Sequence, residues 1–121
     1  MEIFELRKSM TFESAHKLIG LPTGHKCGRL HGHSFKATLV VQGPLDKENR
    51  WVIDYADIKK AAAPTFEQLD HNYLNDIPGL ENPTAENICR WIFQNIKPRL
   101  PMLVQVIVSE TCTSESRYPI L

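Results

Sequence analysis

The sequence predicts an α+β fold in which two helices lie over one face of a four-stranded antiparallel sheet. Apolar and polar residues alternate in two long segments near the N-terminus, and a segment rich in valine and isoleucine lies near the C-terminus. Between them, two segments carry apolar residues at helical spacing. The order strand, strand, helix, helix, strand, strand is typical of an α+β domain. A chain of 121 residues suits a single domain spanning 1–121.

Period-two alternation predicts the first two strands at 3–16 and 31–41, with a loop rich in glycine between them. The first strand has a mostly apolar face that ends in an imidazole: Phe4, Leu6, Met10, Phe12 and His16. The second strand has an apolar face that begins with two imidazoles: His31, His33, Phe35, Ala37, Leu39 and Val41. If these strands pair as antiparallel neighbours, the three histidines converge at one edge of one sheet face.

Capping residues place the starts of the two helices. Asp54 and Thr84 precede the helical patterns and are good N-caps. Pro64 falls inside the first pattern, so we expect it to break or kink that helix. A third strand is predicted from 103 to 109 and a short last strand from 114 to 119.

Composition narrows the classes of function. Fourteen basic and fourteen acidic residues cancel, so no basic excess favours nucleic acid as a partner. No apolar run approaches the roughly 20 residues that span a bilayer, and no signal peptide is recognisable. The three cysteines form no CxxC motif. We therefore expect a cytoplasmic protein without a membrane or nucleic-acid partner, whose open sheet edges are covered by oligomerisation.

The histidines His16, His31 and His33 are the strongest candidates for chemistry. An isolated His-x-His pair is more often two surface residues, but all three of these extend apolar faces. On one face of a strand His31 and His33 lie about 6.6 Å apart, within reach of one metal ion. Three imidazoles with an open fourth position are the usual ligands of a catalytic zinc site.

Cys27 lies four residues before His31, and its role stays open from the residues alone. It could be an ordinary loop residue or a fourth zinc ligand, which would make the site structural and closed. Alternatively, Lys26, Arg29 and a nearby metal favour its thiolate, which could act as a general base or nucleophile.

The remaining candidates differ in strength. Glu110 ends an apolar strand face, where a carboxylate could accept two N–H bonds from a flat heterocycle. Asp70 and His71 are weaker, because adjacent residues do not easily share a hydrogen bond. Cys89 falls on the apolar stripe of the second helix and is predicted to be a core residue.

Five motifs occur together between residues 12 and 111, and as a set they are specific: Phe12-Glu13-Ser14-Ala15-His16, Cys27-x-x-x-His31-Gly32-His33, Leu69-Asp70-His71-Asn72-Tyr73-Leu74, Asn82-Pro83-Thr84-Ala85-Glu86 and Glu110-Thr111. In this order they resemble the 6-pyruvoyltetrahydropterin synthase family. The spacing of three residues between Cys27 and His31 resembles the branch that forms a 6-carboxylated tetrahydropterin in queuosine biosynthesis.

The resemblance implies a tunnelling fold (T-fold), in which sheets from several subunits join into a barrel, and a homohexamer built as a dimer of trimers. It implies Zn2+ as cofactor, held by His16, His31 and His33. Cys27 looks like the catalytic base, Asp70 with His71 like a proton relay, and Glu110 like the anchor of the pterin ring.

The implied activity is that of a zinc-dependent carbon–carbon lyase acting on 7,8-dihydroneopterin triphosphate, with release of acetaldehyde and triphosphate. One rival is the pyruvoyl reaction, which eliminates triphosphate and keeps every side-chain carbon. Another is a non-catalytic, zinc-stabilised oligomer that only binds pterins. A third is a structural zinc module, with Cys27 as the fourth ligand, that binds a protein partner.

Overall fold

A computed structural model describes residues 1–120 and shows the predicted α+β architecture. In chain order its main elements are β1 (Phe4–His16), β2 (His31–Gly43), α1 (Tyr55–Leu69), α2 (Ala85–Ile96), β3 (Leu103–Thr111) and β4 (Ser114–Tyr118). The strands form one antiparallel sheet in the order β1-β2-β3-β4. Within residues 1–120, neither helix has the length and apolar character needed to cross a bilayer.

The pairing of β1 with β2 decides where the site lies. His16 stands directly opposite His31, and Ser14 stands opposite His33. One pair further along, the rings of Phe12 and Phe35 stack with their centroids 4.9 Å apart. The predicted convergence of the three histidines at the end of an apolar face is therefore confirmed.

Both predicted helix caps are present. The Asp54 carboxylate accepts a hydrogen bond from the Ala56 N–H at 2.9 Å, and the Thr84 hydroxyl accepts one from the Asn87 N–H at 3.1 Å. The expected break at Pro64 is wrong, because α1 continues through it to Leu69. Pro64 is exposed, so the carbonyl that loses its helical partner lies on the solvent side, where water can solvate it.

The core lies between the helices and one face of the sheet. Cys89 on α2 is fully buried there, as predicted. Its thiol lies 3.3 Å from the Val106 carbonyl oxygen and 3.1 Å from that of Ser116, and burial raises its pKa to about 12. A thiol held neutral between two carbonyls is a packing residue, which leaves Cys27 and Cys112 as the accessible thiols.

Candidate active site and metal centre

His16, His31 and His33 form a compact cluster at the end of the β1–β2 pair. Their ring centroids are separated by 4.5 Å (His16–His31), 4.9 Å (His31–His33) and 5.2 Å (His16–His33). One nitrogen from each ring lies within 4.8 Å of the other two, and no second group of this kind occurs among residues 1–120. Zinc–nitrogen bonds of about 2.1 Å in tetrahedral geometry place nitrogens roughly 3.4 Å apart, so small ring rotations would complete a site.

Hydrogen bonds indicate which ring nitrogen is free in His16 and His31. The Nδ1 atom of His16 lies 2.8 Å from the carbonyl oxygen of Pro83, and that of His31 lies 2.7 Å from the carbonyl oxygen of Arg29. A carbonyl can only accept, so Nδ1 carries the proton in both rings and Nε2 presents a lone pair. Carbonyl partners of this kind orient the imidazole ligands of metal sites.

Burial adds a second sign that the cluster is built for a cation. The Nε2 atoms of His16 and His33 are buried, and neither has a hydrogen-bond partner within the described residues. An unpaired buried polar atom normally destabilises a fold by about 1–3 kcal/mol. Burial also lowers the pKa of His16 below its usual 6.5, which keeps the imidazole in the neutral form that binds metals. The residues present therefore fit a metal ion.

Gly32 separates His31 from His33 and lets the two strands approach closely. A Cβ atom at this position would lie 3.3 Å from the carbonyl oxygen of Ser14 on β1. Ser14 is buried on the histidine face, and its hydroxyl donates to the Leu69 carbonyl at the end of α1. These contacts connect the histidine cluster to the β1–β2 pair and to the end of α1.

Glu110 reaches the same cluster from β3. Its Oε2 atom lies 3.7 Å from the Nε2 atom of His33, and its side chain is half-buried. That separation is too long for a hydrogen bond, so the carboxylate oxygens remain available to another donor. Glu110 thus lies at the edge of the histidine cluster. Its role as the pterin anchor stays a prediction.

Cys27 lies on the loop that leads into β2. It is half-buried in a short 3₁₀ turn, Lys26–Gly28, and its carbonyl accepts a hydrogen bond from the Leu18 N–H at 2.9 Å. Leu18 follows His16, the last residue of β1, by two residues, so this bond keeps the turn near the histidines. In the described chain Cys27 does not belong to the group of side chains that could hold a metal ion, which favours the interpretation as an open site over a closed one with four ligands.

Asp70 and His71 form a pair that the sequence reasoning undervalued. The His71 Nδ1 atom lies 2.9 Å from the Asp70 carboxylate. The two neighbours thus come within ion-pair distance of each other, and His71 has a positive φ of 57°. The Glu13 N–H donates to Asp70 at 2.8 Å, and this bond, with the His71 contact, lowers the pKa of Asp70.

His71 borders a groove that His33 of the histidine cluster also lines. Its exposed ring borders an open groove of about 580 Å³, which Glu13 and Ser34 also line. Glu13 and Ser34 are paired residues on the polar face of the sheet, opposite the face of the three histidines. Cys27 is not among the residues that line this groove, so contact between Cys27 and His71 is not made there.

Sequence reasoning missed several residues that hold the site. The carbonyls of Pro83 and Arg29 are backbone atoms, which no side-chain pattern reveals. Asn75 pairs with the backbone of Lys17, at 3.0 Å to its N–H and 2.8 Å to its carbonyl. Asn82 accepts the Ile19 N–H at 3.0 Å. The available signal is the Asn82-Pro83 pair, whose residues both contact the end of β1 or the loop that follows it.

Comparison with known proteins agrees with these features. Residues 5–119 match the family model described as 6-pyruvoyl tetrahydropterin synthase. A 6-carboxy-5,6,7,8-tetrahydropterin synthase from Synechocystis sp. is 43% identical over 118 residues, covering 92% of this chain and 89% of that protein. A protein from Archaeoglobus fulgidus described as a putative enzyme of the same name is 36% identical, with 84% of each chain covered.

The fold has solved counterparts as well. The structure of Caenorhabditis elegans 6-pyruvoyl tetrahydropterin synthase superposes with a TM-score of 0.90 at 25% identity, covering 98% of this chain and 96% of that one. The family model, the relatives and the shared fold lead to one conclusion: the chain belongs to the 6-pyruvoyl tetrahydropterin synthase family.

Proposed function

We propose that this protein is a carbon–carbon lyase that converts 7,8-dihydroneopterin triphosphate to 6-carboxy-5,6,7,8-tetrahydropterin in queuosine biosynthesis. One water molecule is consumed, and acetaldehyde and triphosphate are released. The observation that carries the proposal is the 43% identity to a 6-carboxytetrahydropterin synthase over 92% of the chain. The pyruvoyl synthase of C. elegans shares the fold at a lower identity of 25%, which favours the carboxylate-forming reaction over the pyruvoyl one.

His16, His31 and His33 would hold a zinc ion through their free Nε2 atoms. The neutral ring of His16, the carbonyl partners of the His16 and His31 Nδ1 atoms and the unpaired buried Nε2 atoms of His16 and His33 support this assignment. When bound, zinc supplies positive charge that makes a neighbouring substrate hydroxyl and its C–H bond more acidic.

Glu110 would bind and orient the pterin. Its carboxylate can accept two N–H bonds from the flat ring, and its position 3.7 Å from His33 would put the substrate side chain near the metal ligands. This placement explains why a carboxylate closes an otherwise apolar strand face.

Cys27 would remove and return protons on the substrate side chain. Its half-buried thiol lies on the turn that the Leu18 N–H holds near the end of β1, and a positioned thiol can serve as a general base. His71 would exchange the second proton, with Asp70 holding its Nδ1–H and leaving Nε2 to face the substrate. The arrangement follows the logic of an oriented imidazole beside a carboxylate.

A subunit assembly would complete the sites. β1 and β4 are the edge strands of the sheet, and open strand edges favour pairing with another chain. We propose that sheets of several copies join edge to edge into the T-fold barrel, as a homohexamer in the cytoplasm. Such packing would also allow His71 on the polar side of one chain to serve a Cys27 of another.

Product analysis tests the proposed function. Metal-loaded protein is incubated with 7,8-dihydroneopterin triphosphate, and acetaldehyde and the pterin mass are measured. We expect acetaldehyde and a 6-carboxylated product in equal amounts. A product that retains all three side-chain carbons would identify the pyruvoyl reaction, and binding without turnover would identify a pterin-binding protein.

The variant Cys27→Ala separates the base from a metal ligand. We expect it to keep stoichiometric zinc and pterin binding but to lose turnover by at least about 100-fold, because proton abstraction by a positioned base contributes that much. Zinc content is measured by elemental analysis on the same sample. If the variant lost its zinc, the thiol would be a ligand and the site would be structural.

A further inference from the structure

Hydrogen bonds hold both ends of the turn that carries Cys27 in the loop between β1 and β2. Near one end the Leu18 N–H donates to the Cys27 carbonyl at 2.9 Å. At the other end the Arg29 carbonyl accepts from His31 at 2.7 Å. These bonds locate the backbone of the turn but leave the N–H of Cys27 to be satisfied by another group.

His25 provides that group. Its Nδ1 atom accepts a hydrogen bond from the Cys27 N–H at 3.1 Å, so the side chain acts as the N-cap of the 3₁₀ turn. Its backbone also closes the turn, because its carbonyl accepts the Gly28 N–H and its N–H donates to the Pro22 carbonyl, each at 3.0 Å. His25 therefore accepts hydrogen bonds from two consecutive N–H groups, those of Cys27 and Gly28.

We infer that His25 is a positioning residue that holds Cys27 in the orientation needed for proton transfer. The inference rests on the proposed role of Cys27 as the base. A capping side chain accepts from the first free N–H groups of a turn, and without it those groups fray. Fraying at the start of this turn would let the Cα–Cβ bond of Cys27 swing relative to the histidine cluster, whose backbone is held by the β1–β2 pairing.

The His25 ring caps the turn through a single acceptor atom, Nδ1. Because Nδ1 accepts, a neutral ring must carry its proton on Nε2. In this role Nδ1 occupies the place that the side-chain oxygen of asparagine takes in ordinary caps, since both atoms are bonded to Cγ. Asparagine can thus replace the acceptor, whereas phenylalanine keeps a ring but offers no acceptor.

Two matched variants follow from this equivalence, His25→Asn and His25→Phe. We expect His25→Phe to lower kcat about tenfold, because a small misplacement of a reacting group has effects of this order, while KM and zinc content stay unchanged. His25→Asn should retain kcat within about threefold, since it keeps the cap. A purely structural role for the ring would give the opposite order.

Amide exchange gives a readout that does not depend on turnover. The exchange rate of the Cys27 N–H, measured by NMR on the metal-loaded protein, should rise severalfold in His25→Phe and stay near wild type in His25→Asn. The Gly28 N–H, bonded to the His25 carbonyl, is the internal control for loss of the whole turn. Equal exchange of Cys27 in both variants, or an unchanged kcat in His25→Phe, would overturn the inference. If wild-type protein itself shows no turnover, the proposed function fails and the exchange rates alone decide whether His25 holds Cys27.

Discussion

His16 combines a buried ring, a hydrogen bond to Pro83 and a candidate metal-binding nitrogen. Two substitutions at this position separate the contribution of the hydrogen bond from that of the ring. It is fully buried, its Nδ1–H donates to the buried Pro83 carbonyl at 2.8 Å, and its Nε2 faces the candidate metal site. The variant His16→Ala removes both ring nitrogens, whereas His16→Asn can still donate from its side-chain amide to Pro83 and lacks the metal ligand.

The free energy of unfolding of the metal-free protein should distinguish these variants. In His16→Ala the Pro83 carbonyl becomes buried and unpaired, at a cost of about 1–3 kcal/mol, and the lost ring leaves a cavity worth about 2 kcal/mol. Removal of the unpaired Nε2 returns about 1 kcal/mol of desolvation. The net loss is about 2–4 kcal/mol for alanine. It should be about 1–3 kcal/mol smaller for asparagine, which keeps the Pro83 bond.

Urea unfolding followed by circular dichroism measures this difference, first without metal and then with zinc in excess. Wild-type protein should gain about 2.7 kcal/mol at a free zinc concentration 100 times the dissociation constant, and neither variant should gain a comparable amount. If the two metal-free variants were equally stable, the Pro83 bond would contribute nothing. If either variant gained as much from zinc as wild type, His16 would not be a ligand.

Three further predictions concern Asp70, Glu110 and the pH dependence that His16 confers. In Asp70→Asn, kcat should fall about 100-fold with zinc content unchanged, because the amide cannot hold the proton of His71 as the carboxylate does. Steady-state kinetics and metal analysis check this, and an unaltered kcat would exclude the proton relay. In Glu110→Gln, the dissociation constant of a pterin measured by calorimetry should rise about 10–100-fold, since hydrogen bonds to charged groups contribute about 1.5–3 kcal/mol; unchanged affinity would refute the anchor. The metal-free protein should be destabilised by acid: burial lowers the pKa of His16 below 6.5, so the unfolded chain binds more protons than the fold, and stability present above pH 6.5 is lost as the pH falls below it. His16→Asn should lack this component of the pH dependence in urea titrations, and an identical profile would contradict the assignment.

Period-two patterning predicted the part of the site that depends on strand geometry. Side chains alternate across a strand except at bulges, and the β1–β2 pairing contains no bulge, so His16, His31 and His33 share a face at this register. Glu110 reaches them from β3, which pairs with β2. These positions therefore depend on one local rule and on two strand pairings, of which the sequence indicated only the pairing of β1 with β2.

The features that were missed depend on backbone conformation or on contacts from distant loops. His71, which contacts Asp70, has a left-handed backbone conformation that no sequence signal predicted. Pro64 was expected to interrupt α1, yet its exposed position allows the helix to continue. The carbonyl of Pro83 lies 67 residues from His16 in the chain, and tertiary packing alone brings them together.

The junction of α1 with β1 explains how both parts of the site keep their geometry. The Ser14 hydroxyl donates to the Leu69 carbonyl, the Asp70 carboxylate accepts the Glu13 N–H, and the His71 N–H donates to the Glu13 carbonyl at 2.6 Å. The consecutive residues Leu69, Asp70 and His71 thus form hydrogen bonds with the consecutive β1 residues Glu13 and Ser14. A shift of β1 by one residue would break all three bonds and turn its histidine to the polar face. The same contacts that orient the Asp70–His71 pair therefore also hold the register that brings the three histidines together, so a change that breaks these bonds should impair both parts of the site, whereas Asp70→Asn keeps an oxygen that can accept the Glu13 N–H.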